Sequence, residues 1–413
     1  MDVKSRSPSI TLAKKVFLFS FVALLFVVNQ SACTALFSDL VATSIPSPTL
    51  TNTGTETRTP TITLTPTPTS TFTPVPTPTL SPTPPLFALE STPLTGKLPP
   101  ITLENASQVS GLAEWYESSV SDVEWMPEER ILAIANRSTI NLYDITTRQI
   151  LRTLYPQRDG IVDIAVNPSG RWLVSGMLRG SEENGYASSI ELWRGPDWKP
   201  LGVLFGVNEG LTSMVFSPNG RFFNAAYTGH VSKENHVDFW NVSTWTITGT
   251  LQTGPAMNLA FSPDSNLLAI SPDNYAIRIW DLKEQKFLYN LYTSFTGAVN
   301  ALAFSPDGVT FASGHYDGTI RMWDLRTGVP FLTFSTEEVI QCLVFSPDGR
   351  LLATGGSFQN SLVRLWSAGT GKLLKTLEGH TSGVSRLSFS SDSQYLVSAT
   401  YDGAIRLWGV RPY

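Results

Sequence analysis

Between Ser119 and the C-terminus the chain states one pattern seven times: a short alternating apolar segment, a four-residue turn, and a later strand centred on tryptophan or tyrosine. The turn proline recurs at Pro127, Pro168, Pro218, Pro263, Pro306 and Pro347, with Ser391 in the seventh place, at intervals of 41, 50, 45, 43, 41 and 44 residues. A period in the forties, built from alternating strand segments and turns, marks a propeller array rather than a helical solenoid.

The fifth unit shows the local physics. Leu302-Ala303-Phe304 leads into Ser305-Pro306-Asp307-Gly308, where proline presets the first turn dihedral and glycine relaxes the exit of a type I turn. Strands are predicted at Val299 to Phe304 (a), Val309 to Gly314 (b), Thr319 to Trp323 (c) and Val329 to Phe334 (d), bounded by Gly, Pro or Asp. Such a sheet leaves apolar faces exposed, so the units must stack radially as blades. The predicted fold class is all-β, a seven-bladed propeller.

The dipeptides Trp280-Asp281 and Trp323-Asp324, relaxed versions at Tyr143-Asp144, Trp193-Arg194, Trp240-Asn241, Trp366-Ser367 and Trp408-Gly409, and the pair Gly379-His380 make the units resemble WD40 repeats. In that family a blade is often braced by hydrogen-bonded His, Ser/Thr, Asp and Trp. The resemblance implies such a network at His380, Ser398, Asp402 and Trp408, and a partial one at Ser313, Asp317 and Trp323, where Phe295 stands in the histidine position. Asn274 takes the aspartate place in blade four, and the set is missing elsewhere. The spacing is that of a rigidifying buried network rather than a hydrolase triad. The resemblance further implies a binding platform, with Tyr316 and Tyr401, each just before the bulge aspartate, as candidate contact residues.

After Trp408 no fourth strand follows in the seventh blade, whereas Gln108 to Trp115 aligns without gaps to Lys372 to Gly379, the fourth strand of blade six and its exit. The segment before the first turn is therefore expected to supply the missing strand and latch the ring.

Residues 1–33 read as a signal or anchor, 34–100 as a linker and 101–413 as the propeller. Lys4, Arg6, Lys14 and Lys15 precede the apolar run Val16 to Val28, and Ser31 and Ala32 follow, the pattern of an export signal. Cys33 is a candidate lipidation site because the stretch resembles a bacterial lipoprotein signal, although Gln30 departs from it; plain secretion and an uncleaved anchor stay open. Each places the propeller outside the cell, at the surface or secreted, with membrane contact only through this segment. From Ser44 to Pro100 threonine and proline dominate, a composition that cannot bury enough surface to fold. Extended at about 3.1 Å per residue, it spans on the order of 150 Å, as a bare linker or an O-glycosylated stalk.

A net charge of -5 and a pI near 5.5 argue against nucleic acid, which calls for a basic patch or stripe. Cys342 reads as a small apolar filler. Gly369-Thr370-Gly371-Lys372 is a c–d turn rather than a phosphate loop, and His230 and His236 lack a strong third ligand. No cofactor, metal or catalytic motif is expected. The expected function is a non-catalytic module for a protein, peptide or glycan; the alternative is an extracellular propeller hydrolase with its site at the central channel.

The repeats differ most in blades two and three. From the end of strand a to the strand c tryptophan there are 19 residues in blades four, five and seven, but 27 from Val166 to Trp193 and 24 from Phe216 to Trp240. The additions fall at Met177 to Ser189 and Tyr227 to His236, predicting a raised lip of loops that carries Arg179, Glu182, Glu183, Lys233 and Glu234 as candidate partner residues.

Overall fold

Each predicted turn proline is followed by an antiparallel meander, and the described residues form seven four-stranded sheets. The computed structural model describes residues 97–411 except 128–129, 159, 182–184, 208, 230–234, 255, 273–275, 293–297 and 359–360. Blade five is representative, with strands Val299–Phe304, Thr310–His315, Thr319–Asp324 and Val329–Ser335. Strand a of every blade lies beside strand a of the next, and that of blade seven (Val384–Phe389) returns to that of blade one (Asp122–Trp125). The ring is closed, as seven repeats in register imply.

Packing explains why no blade stands alone. Ala312, Ile320 and Met322 of blade five bury against Ile340, Phe345, Leu352 and Trp366 of blade six, and Ala165, Val174 and Leu192 of blade two against Leu211, Phe223 and Trp240 of blade three. The core therefore lies between blades, and each sheet becomes stable only when both faces are covered.

The turn motif is itself an inter-blade contact. Gly308 donates its N–H to the Ser305 carbonyl at 2.9 Å with φ of +70°, and the Asp307 carboxylate accepts the Ser305 hydroxyl and, at 2.9 Å, the Val309 N–H. Gly170, Gly308 and Gly349 sit over Pro127, Pro263 and Pro306 of the preceding blade, and a Cβ at Gly349 would lie 3.3 Å from Pro306. Positive φ and this close approach both select glycine.

The latch forms. Ser110–Tyr116 pairs antiparallel with Ala404–Gly409 as the outer strand of blade seven. Its register differs from the gapless alignment by two residues. Gly111 faces Trp408 and Trp115 faces Ile405, the places that Leu373 and Leu377 take in blade six. A slip of two keeps every side chain on its predicted face, because strands alternate with period two. Leu112, Ala113 and Trp115 thus still pack against Val123, Leu132, Ile134 and Tyr143 of blade one. A short 3-10 turn, Ala106–Gln108, occupies the place where the alignment began the strand.

The insertion in blade two is a strand extension, not a loop. Met177 to Ser189 was expected as a lip, but strands Trp172–Ser181 and Gly185–Arg194 stay paired from Met177↔Ser189 out to Ser181↔Gly185. Strand d, Lys199–Val207, lengthens to match, with Val207 opposite Ser188. Residues such as Tyr186 and Ala187 continue the ladder because a hairpin satisfies its backbone groups more completely than a loop does.

The latch carries two expected outcomes. Deleting residues 101–116 should abolish the single cooperative melting transition followed by circular dichroism, since blade seven loses a strand and blade one its neighbour. The smaller change Leu112→Ala should cost about 2–5 kcal/mol in denaturant unfolding, because Leu112 is buried among the clusters of both blades.

Candidate protein-interaction face

In an a-to-d meander the b–c and d–a connections emerge on one face of the ring, the a–b and c–d turns on the other. Among the described residues, the exposed aromatics are Tyr116, Tyr155, Tyr292, Tyr316, Phe331 and Phe358. All but Phe331, on the outer strand of blade five, lie at or within two residues beyond a strand end at the b–c/d–a face. Tyr292, Tyr316 and Phe358 are 77%, 48% and 47% exposed, and half-buried Tyr401 stacks on Phe358 with ring centroids 4.9 Å apart and planes 20° from parallel. In ring order Tyr292, Tyr316, Phe358 and Tyr401 mark blades four, five, six and seven. They form an aromatic arc over half the rim.

Blades six and seven meet tightly beneath the arc. Gly383 lies so close to Phe358 that a Cβ there would stand 3.0 Å from its backbone nitrogen, and the Tyr401 N–H donates to the Gly383 carbonyl at 3.3 Å. Tyr316 is seated in the same way, its N–H donating to the Ala298 carbonyl at 2.9 Å. Phe358 was not singled out from the sequence; it stands one residue beyond the place of Tyr316 and Tyr401, in a b–c connection two residues longer than theirs. Burial pushes the Tyr401 phenol up, with Arg386 opposing.

The bracing residues sit one layer in. Ser398 Oγ receives the Trp408 indole N–H at 2.8 Å and lies 2.6 Å from His380 Nε2. Asp402 joins through threonines: its carboxylate accepts the hydroxyls of Thr400 and, at 3.2 Å, Thr381, while His380 Nδ1 makes no hydrogen bond. In blade five the Trp323 N–H donates to Ser313 Oγ at 2.9 Å, and the histidine comes from an unexpected position, His315, whose Nε2 is 2.8 Å from Ser313 Oγ and 3.1 Å from an Arg321 nitrogen. Asp317 accepts the Thr319 N–H at 3.0 Å. Phe295 and Asn274 lie outside the described residues.

The tryptophan–hydroxyl pair is also more widespread than expected. Trp193 donates to Ser175 at 3.0 Å in blade two and Trp366 to Thr354 at 2.9 Å in blade six. In all four blades the hydroxyl stands two residues beyond the tryptophan's cross-strand partner: Leu173, Phe311, Leu352 and Leu396. Ile134, Ala225 and Ile270 fill that position in the other three. That offset is the sequence signal by which the pairs are found.

Buried charge links the first strands around the channel. Arg386 of blade seven donates to Asp122 of blade one at 2.7 Å; Asp122 also accepts the Ile164 N–H of blade two at 3.1 Å. Asp163 of blade two accepts the Met214 N–H of blade three at 2.7 Å. Burial, with Asp122 beside it, drives Asp163 well above the usual carboxylate range. These acids staple four blades together, as Ser121 does to the Ile161 carbonyl at 2.7 Å and Asn300 to the Ile340 carbonyl at 3.0 Å. Among the described residues no cluster of three His, Cys, Asp or Glu is arranged to hold a metal.

Of the remaining candidate residues, Arg179 is exposed on the blade two ribbon opposite Ala187. Glu182, Glu183, Lys233, Glu234, His230 and Cys33 lie outside the described residues. His236 stacks on Tyr227 with centroids 5.0 Å apart and faces Glu209 at 3.4 Å and Asp238 at 3.8 Å. Burial raises the Cys342 thiol to about 12, as suits a packing residue.

Comparison with known proteins agrees with this geometry. The family model described as "WD domain, G-beta repeat" matches residues 148–185, 285–324, 328–367 and 371–409. Periodic tryptophan protein 2 of Saccharomyces cerevisiae is 31% identical over 297 residues, 71% of this chain and 26% of that protein. The Arabidopsis thaliana protein of the same name is 29% identical over 223 residues, covering 53% and 24% of the two chains. The Dictyostelium discoideum homologue is 32% identical over 276 residues, covering 65% and 24%. The chain thus spans about a quarter of the length of these curated relatives. They also correct the location. The likeness falls on eukaryotic periodic tryptophan proteins, so the exported placement, the bacterial-type affiliation and lipidation at Cys33 drawn from the first residues are not upheld. Basic, apolar and small residues in sequence are a compositional pattern, and residues 1–33 lie outside the described residues.

The bracing network makes a pH dependence testable. Burial, reinforced by Arg406 and opposed by Asp402, lowers His380 to about 4. Its neutral form is the folded form, so its contribution to stability is complete above the ordinary histidine value near 6.5 and is lost as pH falls through about 4. The difference in unfolding free energy between wild type and His380→Gln should therefore shrink over that window and stay constant above pH 7. Ser398→Ala, which strands the Trp408 N–H in the core, should cost roughly 1–3 kcal/mol in chemical unfolding at neutral pH.

Proposed function

Because its blades are WD40 repeats, we propose that this chain is a non-catalytic scaffold that captures a protein or peptide on its b–c/d–a face. The observation that carries this reading is the asymmetry of the rim: aromatic side chains collect at one face, along consecutive blades, on seats fixed by backbone hydrogen bonds. Tyrosine and phenylalanine held this way offer large contact area at little entropic cost. The channel carboxylates serve the scaffold instead, since Asp122 and Asp163 are occupied by Arg386 and by N–H groups of neighbouring blades. A rigid closed ring suits capture, because its binding residues need no reordering when a partner arrives.

The test is the triple variant Tyr316→Ala, Phe358→Ala, Tyr401→Ala. It should lose the proteins that the wild-type chain retains from an extract of the source cells, while its melting temperature stays within a few degrees. Retention of the same proteins would remove the arc from the binding surface. Hydrolysis of a generic ester, phosphate or glycoside substrate by pure wild-type protein, lost on changing Asp163→Asn, would overturn the non-catalytic reading.

A further inference from the structure

We propose that the aromatic arc recognises a basic peptide segment of its partner, whose lysine and arginine side chains lie over the rings and against carboxylates set between them. This deepens, and rests on, the reading of the arc as a docking surface. The b–c and d–a connections of blades four to seven are residues 273–275, 293–298, 316–318, 336–339, 357–362, 378–383 and 401–403, and in sequence they hold six acids and no lysine or arginine. Among the described residues Asp317, Glu337, Glu378 and Asp402 are exposed, while Glu338 is paired with Arg364 at 2.8 Å. The exposed arginines of this face among the described residues, Arg137, Arg158 and Arg179, belong to blades one and two. The sector that carries the arc therefore presents one sign of charge at its surface, which a basic ligand neutralises and an acidic one would oppose.

Acid and aromatic alternate around the rim. In ring order come Tyr316 with Asp317, then Glu337, Phe358, Glu378, and Tyr401 with Asp402. Backbone contacts fix this spacing. Thr336 donates its N–H to the Gly318 carbonyl at 2.9 Å, and a Cβ at Gly318 would stand 2.5 Å from the Thr336 carbonyl oxygen, so the turn of Asp317 lies directly on the connection that carries Glu337. Beyond Phe358, the Thr381 hydroxyl donates to Asp402 at 3.2 Å and an Arg406 nitrogen to the Glu378 carbonyl at 3.4 Å. Carboxylates thus flank the stacked pair of Phe358 and Tyr401 on both sides. A ring face carries the negative part of its quadrupole, so an ammonium or guanidinium placed there is attracted by the ring and by the carboxylate beside it together. An uncharged segment would gain from the rings alone.

The experiment titrates the full chain into a fluorescein-labelled peptide that alternates glycine with lysine or arginine, and into a control with glutamate at each basic position, both read by fluorescence anisotropy. The basic peptide should bind at low ionic strength and weaken as salt rises, and the acidic one should not bind. Changing Glu337→Gln, Glu378→Gln and Asp402→Asn together should weaken binding roughly tenfold, the combined effect of three exposed charge pairs. Because Asp402 also accepts hydroxyls in the bracing network, Glu337→Gln with Glu378→Gln serves as a second variant that leaves the network intact, and it too should weaken binding several-fold. Phe358→Ala should weaken it about threefold. Since the whole chain is acidic, the control removes three exposed carboxylates from the opposite face, Glu104→Gln, Asp197→Asn and Glu284→Gln, and should leave affinity unchanged. No binding of the basic peptide, equal binding of the acidic one, or an equal loss in the opposite-face variant overturns the basic partner. Cellular proteins lost by the aromatic triple variant yet retained by the acid variants overturn the charge reading alone, whereas proteins retained by both overturn the docking face itself.

Discussion

Everything in this ring depends on one constraint: a four-stranded blade has two apolar faces and no means of covering either alone. Blade five buries its core against blade six, and blade seven must bury one against blade one, where the ring closes on itself. The latch settles that junction. Ser110–Tyr116 belongs by sequence to the start of the propeller and by hydrogen bonding to its end, so closure joins segments nearly three hundred residues apart, as in the contact of Glu114 with Arg406, |i−j| of 292. Tying distant segments is entropically costly only once, since closure entropy grows slowly with loop length.

The matched repeats show the same interlock throughout. Residues 328–367 begin with strand d of blade five and end with strand c of blade six, and 371–409 straddle blades six and seven likewise. A sequence unit is thus never a structural unit. Each repeat delivers its outer strand to one blade and three strands to the next, which makes neighbouring blades fold cooperatively. The latch extends this rule around the circle.

The ring and its closure were legible because they follow from short-range signals repeated in register: Ser-Pro-Asp-Gly turns, alternating strands and the strand c tryptophan. The latch register was missed by two residues because strands alternate with period two, so an alignment slipped by two keeps the same apolar pattern, and blade six carries the same bulge as the latch. The ribbon of blade two was missed because Gly180, Ser181 and Gly185 read as loop residues, although cross-strand pairing carries them as strand. Tyr316 and Tyr401 stood out by position, whereas Phe358 was hidden by the two extra residues in the b–c connection of blade six. His315 escaped because the family pattern looks for its histidine upstream of strand a, while here the same hydroxyl, Ser313, is reached from two residues along its own strand.

A consistent division of labour runs through these details. The strand c residue two before the tryptophan is Asn141, Glu191 or Asp238 in blades one to three and Arg278, Arg321, Arg364 or Arg406 in blades four to seven. The arginines are held by local partners: Arg364 by Glu338 at 2.8 Å, Arg406 by Glu114 at 2.8 Å, Arg321 by His315, and Arg278 over the Phe287 ring at 5.5 Å. The acids are held differently, Glu191 accepting the Gln157 N–H at 3.0 Å and Asp238 the Thr250 hydroxyl at 2.7 Å, and burial raises both carboxyls. The half of the ring that presents the aromatic arc is thus the half whose strand c arginines are paired or stacked, a stiff base for the exposed rings. The other half places its carboxyls beneath the ribbon and the His236 cluster. Rigidity under the arc and the carboxyls opposite it both arise from one strand position, which lets the rim above blades four to seven expose aromatic rings without loosening the blades that carry them.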